Sequence, residues 1–276
     1  MSRLYDALRR VELQKRQAGD LAIEPAGPAE VLESAMGERS EIEGAHSVKV
    51  NASPSSRLVA LSDPKSLGAE KFRALVTRLE HLRYQRELKS IQITSSVINE
   101  GKSLVAANLA ITLAKYTKSK VLLIEGDLHR PALTSMLGLS GIKGLGDWWS
   151  GSGEEITHFL YQLDEMPLWF LSAGKPCDQP YHLLQSERFA GAVSSFAAQY
   201  DWIVADSTPI LPTVDANLWS RLVDGAILVV REGIAPVQAL KKGLESLDNP
   251  KLLGVVLNEA SEFDQTDYKN SYYGNK

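Results

Sequence analysis

The 276 residues are enough for one sizeable core, and a composition of 44% hydrophobic and 23% charged residues excludes both wholesale disorder and a fibrous repeat. A formal net charge of −4 supplies no positive field to gather phosphates over the whole surface, so nucleic acid is not an expected partner. The single cysteine, Cys177, can close no internal disulfide, no run approaches the ~18 apolar residues of a membrane span, and no secretory apolar region follows Met1; the expected location is the cytoplasm.

Residues 1–17 place Leu4, Leu8 and Val11 at helical spacing among Arg9, Arg10, Lys15 and Arg16, which predicts a short basic amphipathic helix. So short a helix is marginal alone and gains stability by contact, which fits docking to a partner or a membrane surface. Residues 18–56 turn to Gly, Pro, Ser and acids without periodicity and are expected to be a flexible acidic linker. Residues 57–258 then read as one domain. Its first long helix is predicted over Ser66 to Arg86, with an apolar stripe of Phe72, Leu75, Leu79 and Leu82. Short apolar runs follow at Ser90–Thr94, Val121–Glu125, Leu168–Ser172, Trp202–Asp206, Ala226–Val230 and Leu252–Asn258, separated by helical patterns. That alternation predicts a three-layer α/β domain with a mostly parallel sheet.

The first run leads into Ser95-Ser96-Val97-Ile98-Asn99-Glu100-Gly101-Lys102-Ser103, and a helical pattern begins at Leu104. A strand, a loop and a helix around Gly-Lys-Ser are the setting of a P-loop. The loop from Ser96 through Asn99 and Glu100 to Leu104 is expected to wrap ATP phosphates with backbone N–H groups. Lys102 would reach the β and γ oxygens and the Ser103 hydroxyl would ligate Mg²⁺. Ser96 stands where the first glycine of the motif belongs. Two later strands end in acids, Glu125-Gly126-Asp127 and Asp206, at the carboxyl edge where open α/β sheets bind ligands. Asp127 and Asp206 suit Mg²⁺, a hard ion held by one or two carboxylates together with phosphates and water.

With these residues in order, the chain resembles the bacterial tyrosine kinases of polysaccharide export, a deviant-Walker class related to partition and septum-site ATPases. The likeness runs from about Ser62 to the C-terminus. Ala69-Glu70-Lys71-Phe72-Arg73 looks like the family's oligomerisation helix, Val121–Pro131 like its second Walker strand, and Asp201–Asp215 like its Walker B strand and loop. The opening Met1–Arg10 is similar to proteins of exosortase-associated exopolysaccharide loci.

The resemblance implies homo-oligomerisation through Glu70 and Arg73, catalysis by Lys102 with Glu125 or Asp127 taking the tyrosine proton, and adenine contact at Asn258. It also implies a separate membrane-embedded regulator of polysaccharide chain length as activator. The tail, residues 259–276, carries Tyr268, Tyr272 and Tyr273 as expected phosphoacceptors. Ten residues from Asn258 to Tyr268 extend at most ~33 Å, enough to enter a neighbouring subunit's site, and each phosphate would add about −1.5 to −2 charge. The sequence departs from the family at Glu125 for Asp, His129 for Arg, Ile98-Asn99 for Pro-Gly and Val76 for the second Arg of the oligomerisation motif. Two other classes share the motifs: a non-kinase ATPase switch, whose signature lysine is replaced here by Val97, and an ATP-binding pseudokinase scaffold.

Overall fold

The computed structural model describes residues 46–151, 153–246 and 251–260. Within them the chain enters at a sheet edge with β1 (His46–Val48). A single 3-10 turn at Pro54–Ser56, capped by the Ser53 hydroxyl, and the short helix α1 (Val59–Ser62) follow. Residues 46–56 were expected as linker, and the structure corrects this. β1 pairs in parallel with a later strand, the Val50 N–H donates to Asp164 at 2.9 Å, and the Asn51 N–H donates to the Leu137 carbonyl at 3.0 Å. The expected N-terminal helix, the rest of the linker and the three tail tyrosines lie outside the described residues.

Helix α2 (Leu67–Gln85) begins where the sequence predicts, with the Ser66 hydroxyl accepting from the Ala69 N–H. It leads to β2 (Ser90–Ser95), α3 (Lys102–Thr117) and β3 (Val121–Glu125). Two short helices, α4 (Leu133–Met136) and α5 (Leu145–Ser150), precede β4 (Leu160–Leu163) and β5 (Leu168–Leu171). Next come α6 (Pro180–Gln185), α7 (Glu187–Gln199) and β6 (Trp202–Asp206). The described chain closes with α8 (Asp215–Leu222), β7 (Gly225–Arg231), α9 (Val237–Ser246) and β8 (Leu252–Asn258).

The sheet order is β1-β4-β5-β3-β6-β2-β7-β8. Only the β4–β5 pair is antiparallel, so β1 and β4 run against the other six. Every residue of β2, β3 and β6 is buried, as strands covered on both faces require. β7 makes the layering visible: Ile227 and Val229 join the larger core, whereas Ala226 and Leu228 join a second core with Ile210 and Ala216. Alternate side chains of one strand thus feed two opposite cores.

Helix α3 is buried almost all round, from Val105 to Ala114, and its alanines let the layers approach closely while favouring the helix. Asn108, fully buried within it, ties the helix to the segment before α2. Its Oδ1 accepts from the Ala60 N–H at 3.1 Å, and its Nδ2 donates to the Arg57 carbonyl at 3.2 Å and the Leu104 carbonyl at 3.0 Å. These bonds fix the shaft of the helix whose first turn carries Lys102 and Ser103.

Candidate active site

β2 lies between β6 and β7, and the connections leaving β2 and β6 depart to opposite sides, which opens a crevice at the carboxyl ends of the central strands. The P-loop emerges there. Gly101 takes φ 90° as it starts α3, and a Cβ at this position would come within 2.1 Å of Asn258 Nδ2, so glycine is required twice over. Asn99 has φ 66°; asparagine is among the few side chains that adopt the left-handed region readily. Glu100 is wholly buried and braces the loop, accepting from the Val97 N–H at 2.9 Å and the Arg231 N–H at 3.4 Å. The Ser95 and Ser96 carbonyls accept from the Ile210 and Leu211 N–H groups, which binds the loop's start to the segment after β6.

Lys102 Nζ lies 2.8 Å from Asp127 Oδ2, and both side chains are largely buried. Burial alone would lower the lysine's pKa, but the Asp206 and Asp127 carboxylates outweigh it, so the net shift is upward and the amine stays charged. Asp206 is fully buried, and among the described residues neither of its oxygens has a hydrogen bond of normal geometry. Burial raises its pKa to about 7, against the opposing pull of Lys102 and of the nearby Ser103 hydroxyl. A buried carboxyl beside a hydroxyl, with no hydrogen bond of normal geometry of its own among the described residues, has the chemistry to hold a divalent cation. No cluster of three or more His, Cys, Asp or Glu side chains forms a closed metal cage among the described residues. An ion that binds chiefly through phosphates and water does not need one.

Glu125 is different. The Thr134 N–H and hydroxyl donate to it at 2.9 and 2.5 Å, the Ala173 N–H at 3.0 Å, and the Ser172 hydroxyl more weakly at 3.4 Å. Its carboxylate therefore caps α4 and pins the end of β5. Of the two acids expected as proton acceptors, the structure saturates Glu125 with structural donors and turns Asp127 toward Lys102. The loop bearing Asp127 is fixed from both ends. The Arg130 N–H donates to Asp127 Oδ1 at 2.9 Å, and the Gly126 N–H donates to the Asp206 carbonyl at 2.8 Å. Trp219 Nε1 donates to the Gly126 carbonyl at 3.2 Å. Gly126 has no room for a side chain, since a Cβ would lie 2.4 Å from the Trp219 ring.

Asn258 does reach the site, donating from Nδ2 to the Glu100 carbonyl at 3.0 Å. Just after it, Glu259 takes φ 51° and is ion-paired by Arg57 and Arg231, an arrangement sequence spacing gave no sign of. Leu104 lies in the first turn of α3, beside Ser103.

A comparison with known proteins fits this geometry. The chain is 33% identical over 221 residues to the tyrosine-protein kinase YwqD of Bacillus subtilis (strain 168), covering 79% of this chain and 92% of that one. The chain belongs to the bacterial tyrosine kinase family. Another relative of this kinase, the succinoglycan biosynthesis transport protein ExoP of Rhizobium meliloti (strain 1021), is 31% identical over 230 residues, which is 78% of this chain but 29% of ExoP. Among solved structures, the kinase domain of the Escherichia coli tyrosine kinase Etk superposes with a TM-score of 0.68 at 25% identity, covering 74% of this chain and 82% of that one. No family model matches the chain.

Two departures of this kinase from the family pattern acquire physical reasons. Asn99 replaces a usual glycine at a left-handed position that asparagine tolerates. His129 replaces a usual arginine, yet its Nε2 pairs with buried Asp215 at 2.8 Å, linking the Asp127 loop to the start of α8. On α2 of the kinase, Arg73 Nε donates to Glu70 at 2.9 Å, and its Nη1 donates to the Pro64 carbonyl and the Tyr116 hydroxyl, each at 2.7 Å. Within the single chain, both expected oligomerisation residues are thus engaged with each other. Val76, in place of a second arginine, is buried in the core. No helix among the described residues is long and apolar enough to cross a membrane.

Proposed function

We propose that the chain is an ATP-dependent protein-tyrosine autokinase, of the non-specific protein-tyrosine kinase class, that acts in exopolysaccharide or capsule synthesis and export. One observation carries this reading: Lys102 is held charged between Asp127 at 2.8 Å and an Asp206 whose two oxygens lack partners among the described residues. The P-loop N–H groups and Lys102 would hold the triphosphate, and Ser103 and Asp206 would hold Mg²⁺, with Asp127 contributing through a bound water. Bound Mg²⁺ would neutralise charge on the transferring phosphoryl group.

The protein's own residues do the rest. Asp127 keeps Lys102 charged and poised; phosphates entering the P-loop compete for the amine and leave Asp127 able to accept a proton. A tyrosine hydroxyl, with an ordinary pKa of about 10, needs such an acceptor at neutral pH. Asp127 is preferred to Glu125 because the latter's lone pairs are already engaged by Thr134, Ser172 and Ala173. Glu125 acts through position, keeping the Asp127 loop and α4 in register.

The acceptors are Tyr268, Tyr272 and Tyr273 of a neighbouring copy, reached in trans within a homo-oligomer assembled through Glu70 and Arg73. Accumulated phosphate charge would loosen that oligomer. Recruitment to the inner face of the plasma membrane falls to a separate membrane-embedded chain-length regulator, engaged by residues 1–17. Phosphotyrosine mass spectrometry of the full chain incubated with Mg-ATP tests the reading. Phosphate on the tail tyrosines, lost in Lys102→Ala, supports it. Hydrolysis without tail phosphate would make the protein an ATPase switch, and nucleotide binding without either would make it a scaffold.

A further inference from the structure

We propose that Gly243, in the middle of α9, is a positioning residue of the nucleotide site: its missing side chain makes the space in which Ser96 stands at the first position of the P-loop. The proposal rests on the reading of this loop as a nucleotide site. Most P-loops open with a glycine at this position, which leaves nothing to accommodate. Here a serine occupies it, fully buried, and its hydroxyl has no hydrogen-bond partner among the described residues.

The backbone around Ser96 cannot drift to relieve the extra atoms. The Ser95 carbonyl accepts from the Ile210 N–H at 2.8 Å, the Ser96 carbonyl accepts from the Leu211 N–H at 3.3 Å, and the Ser95 hydroxyl donates to the Val97 carbonyl at 2.7 Å. The side chain meets α9 instead. A Cβ built on Gly243 would sit 2.6 Å from Ser96 Oγ, 3.2 Å from its Cβ and 3.6 Å from its Cα. Rotating the hydroxyl away would leave the two Cβ atoms at 3.2 Å, still tighter than ordinary van der Waals contact. Nor can α9 easily retreat, because Leu240 and Leu244 pack it onto the core formed by Ile210, Ala226 and Leu228. Gly243 is the helix's buried residue and takes no left-handed φ, so alanine would fit the local backbone. With the neighbour removed, alanine would favour the helix over glycine. A glycine kept in mid-helix here answers a spatial demand made by Ser96.

The contact predicts a reversal of sign. In the otherwise unchanged full chain, Gly243→Ala should lower the urea midpoint of the nucleotide-free protein and weaken Mg-mant-ATP binding by about tenfold. In a Ser96→Gly background the same change should raise the urea midpoint and leave mant-ATP affinity within about twofold of Ser96→Gly alone. Equal effects of Gly243→Ala in both backgrounds, or no effect in the first, would overturn the proposal. If the urea data showed the reversal but even the unaltered protein failed to bind mant-ATP, the nucleotide reading itself would fall, and the positioning role with it, leaving only a packing contact.

Discussion

Lys102 and Asp127 form an ion pair of 2.8 Å at the centre of the site, one from the first residue of the P-loop helix and the other from the loop after β3. The pair joins two elements that meet only through the fold, and it fixes the amine before any phosphate arrives. Removing one partner of a buried pair leaves an uncompensated charge, which typically costs about 3–5 kcal/mol. Because Asp206 still faces Lys102, Asp127→Asn should fall below that range, at roughly 2–3 kcal/mol in urea denaturation of the nucleotide-free protein. Tail phosphorylation should drop by about two orders of magnitude, the usual contribution of a positioned general base. Unchanged stability and rate in Asp127→Asn would show that the pair is incidental.

Asp206 makes metal-free stability depend on pH. Its folded pKa of about 7 lies above the ordinary 3.8, so its contribution is fully present below about pH 4 and is lost as pH rises through 7. The metal-free protein should therefore lose stability between about pH 4 and 7, by an amount on the order of 4 kcal/mol if the whole shift is expressed, and level off above that. Mg-ATP should reverse the trend, since it favours the ionised carboxylate. Thermal melts across that pH range for the native chain and Asp206→Asn provide the check; the variant's profile should be flatter. An identical slope in both would remove Asp206 as the cause.

Glu125 should behave as a structural acid. Glu125→Ala strips the acceptor from Thr134, Ser172 and Ala173 and should destabilise the protein by about 2–4 kcal/mol, the sum of several buried bonds to a charged group. At temperatures where the fold is intact, its phosphorylation rate should fall much less than that of Asp127→Asn. A larger loss of rate in Glu125→Gln than in Asp127→Asn, with folding preserved, would reassign the proton acceptor.

The central strands were legible in the sequence because strands buried on both faces must be apolar throughout, and Gly101-Lys102-Ser103 after the first of them marked the phosphate edge. β1 was not legible: His46-Ser47-Val48 is three residues without an apolar run, and its pairing with Tyr161–Leu163 is a long-range fact of the fold. β4, four residues long and antiparallel to its neighbour, was missed for similar reasons. The roles of the acids divided in the same way. That Glu125, Asp127 and Asp206 end strands is written in the sequence, but which of them is saturated depends on donors brought from Thr134, Ser172 and Ala173 by tertiary packing. The clasp of Glu259 by Arg231 and by Arg57, the latter some two hundred positions away, left no local trace.

Asn108 ties α3 to the chain before α2 by three hydrogen bonds, so Asn108→Ala should destabilise the fold by about 1–3 kcal/mol, since the Arg57 carbonyl and Ala60 N–H lose their partner. Chemical denaturation gives this value directly.

The account turns on a magnesium-dependent triphosphate site, and calorimetric titration of the full chain with ATP, with Mg²⁺ and then with excess EDTA, tests it most directly. Saturable binding that needs Mg²⁺ and disappears in Lys102→Ala is the predicted result. A folded protein that shows no Mg²⁺-dependent heat of ATP binding would contradict the account.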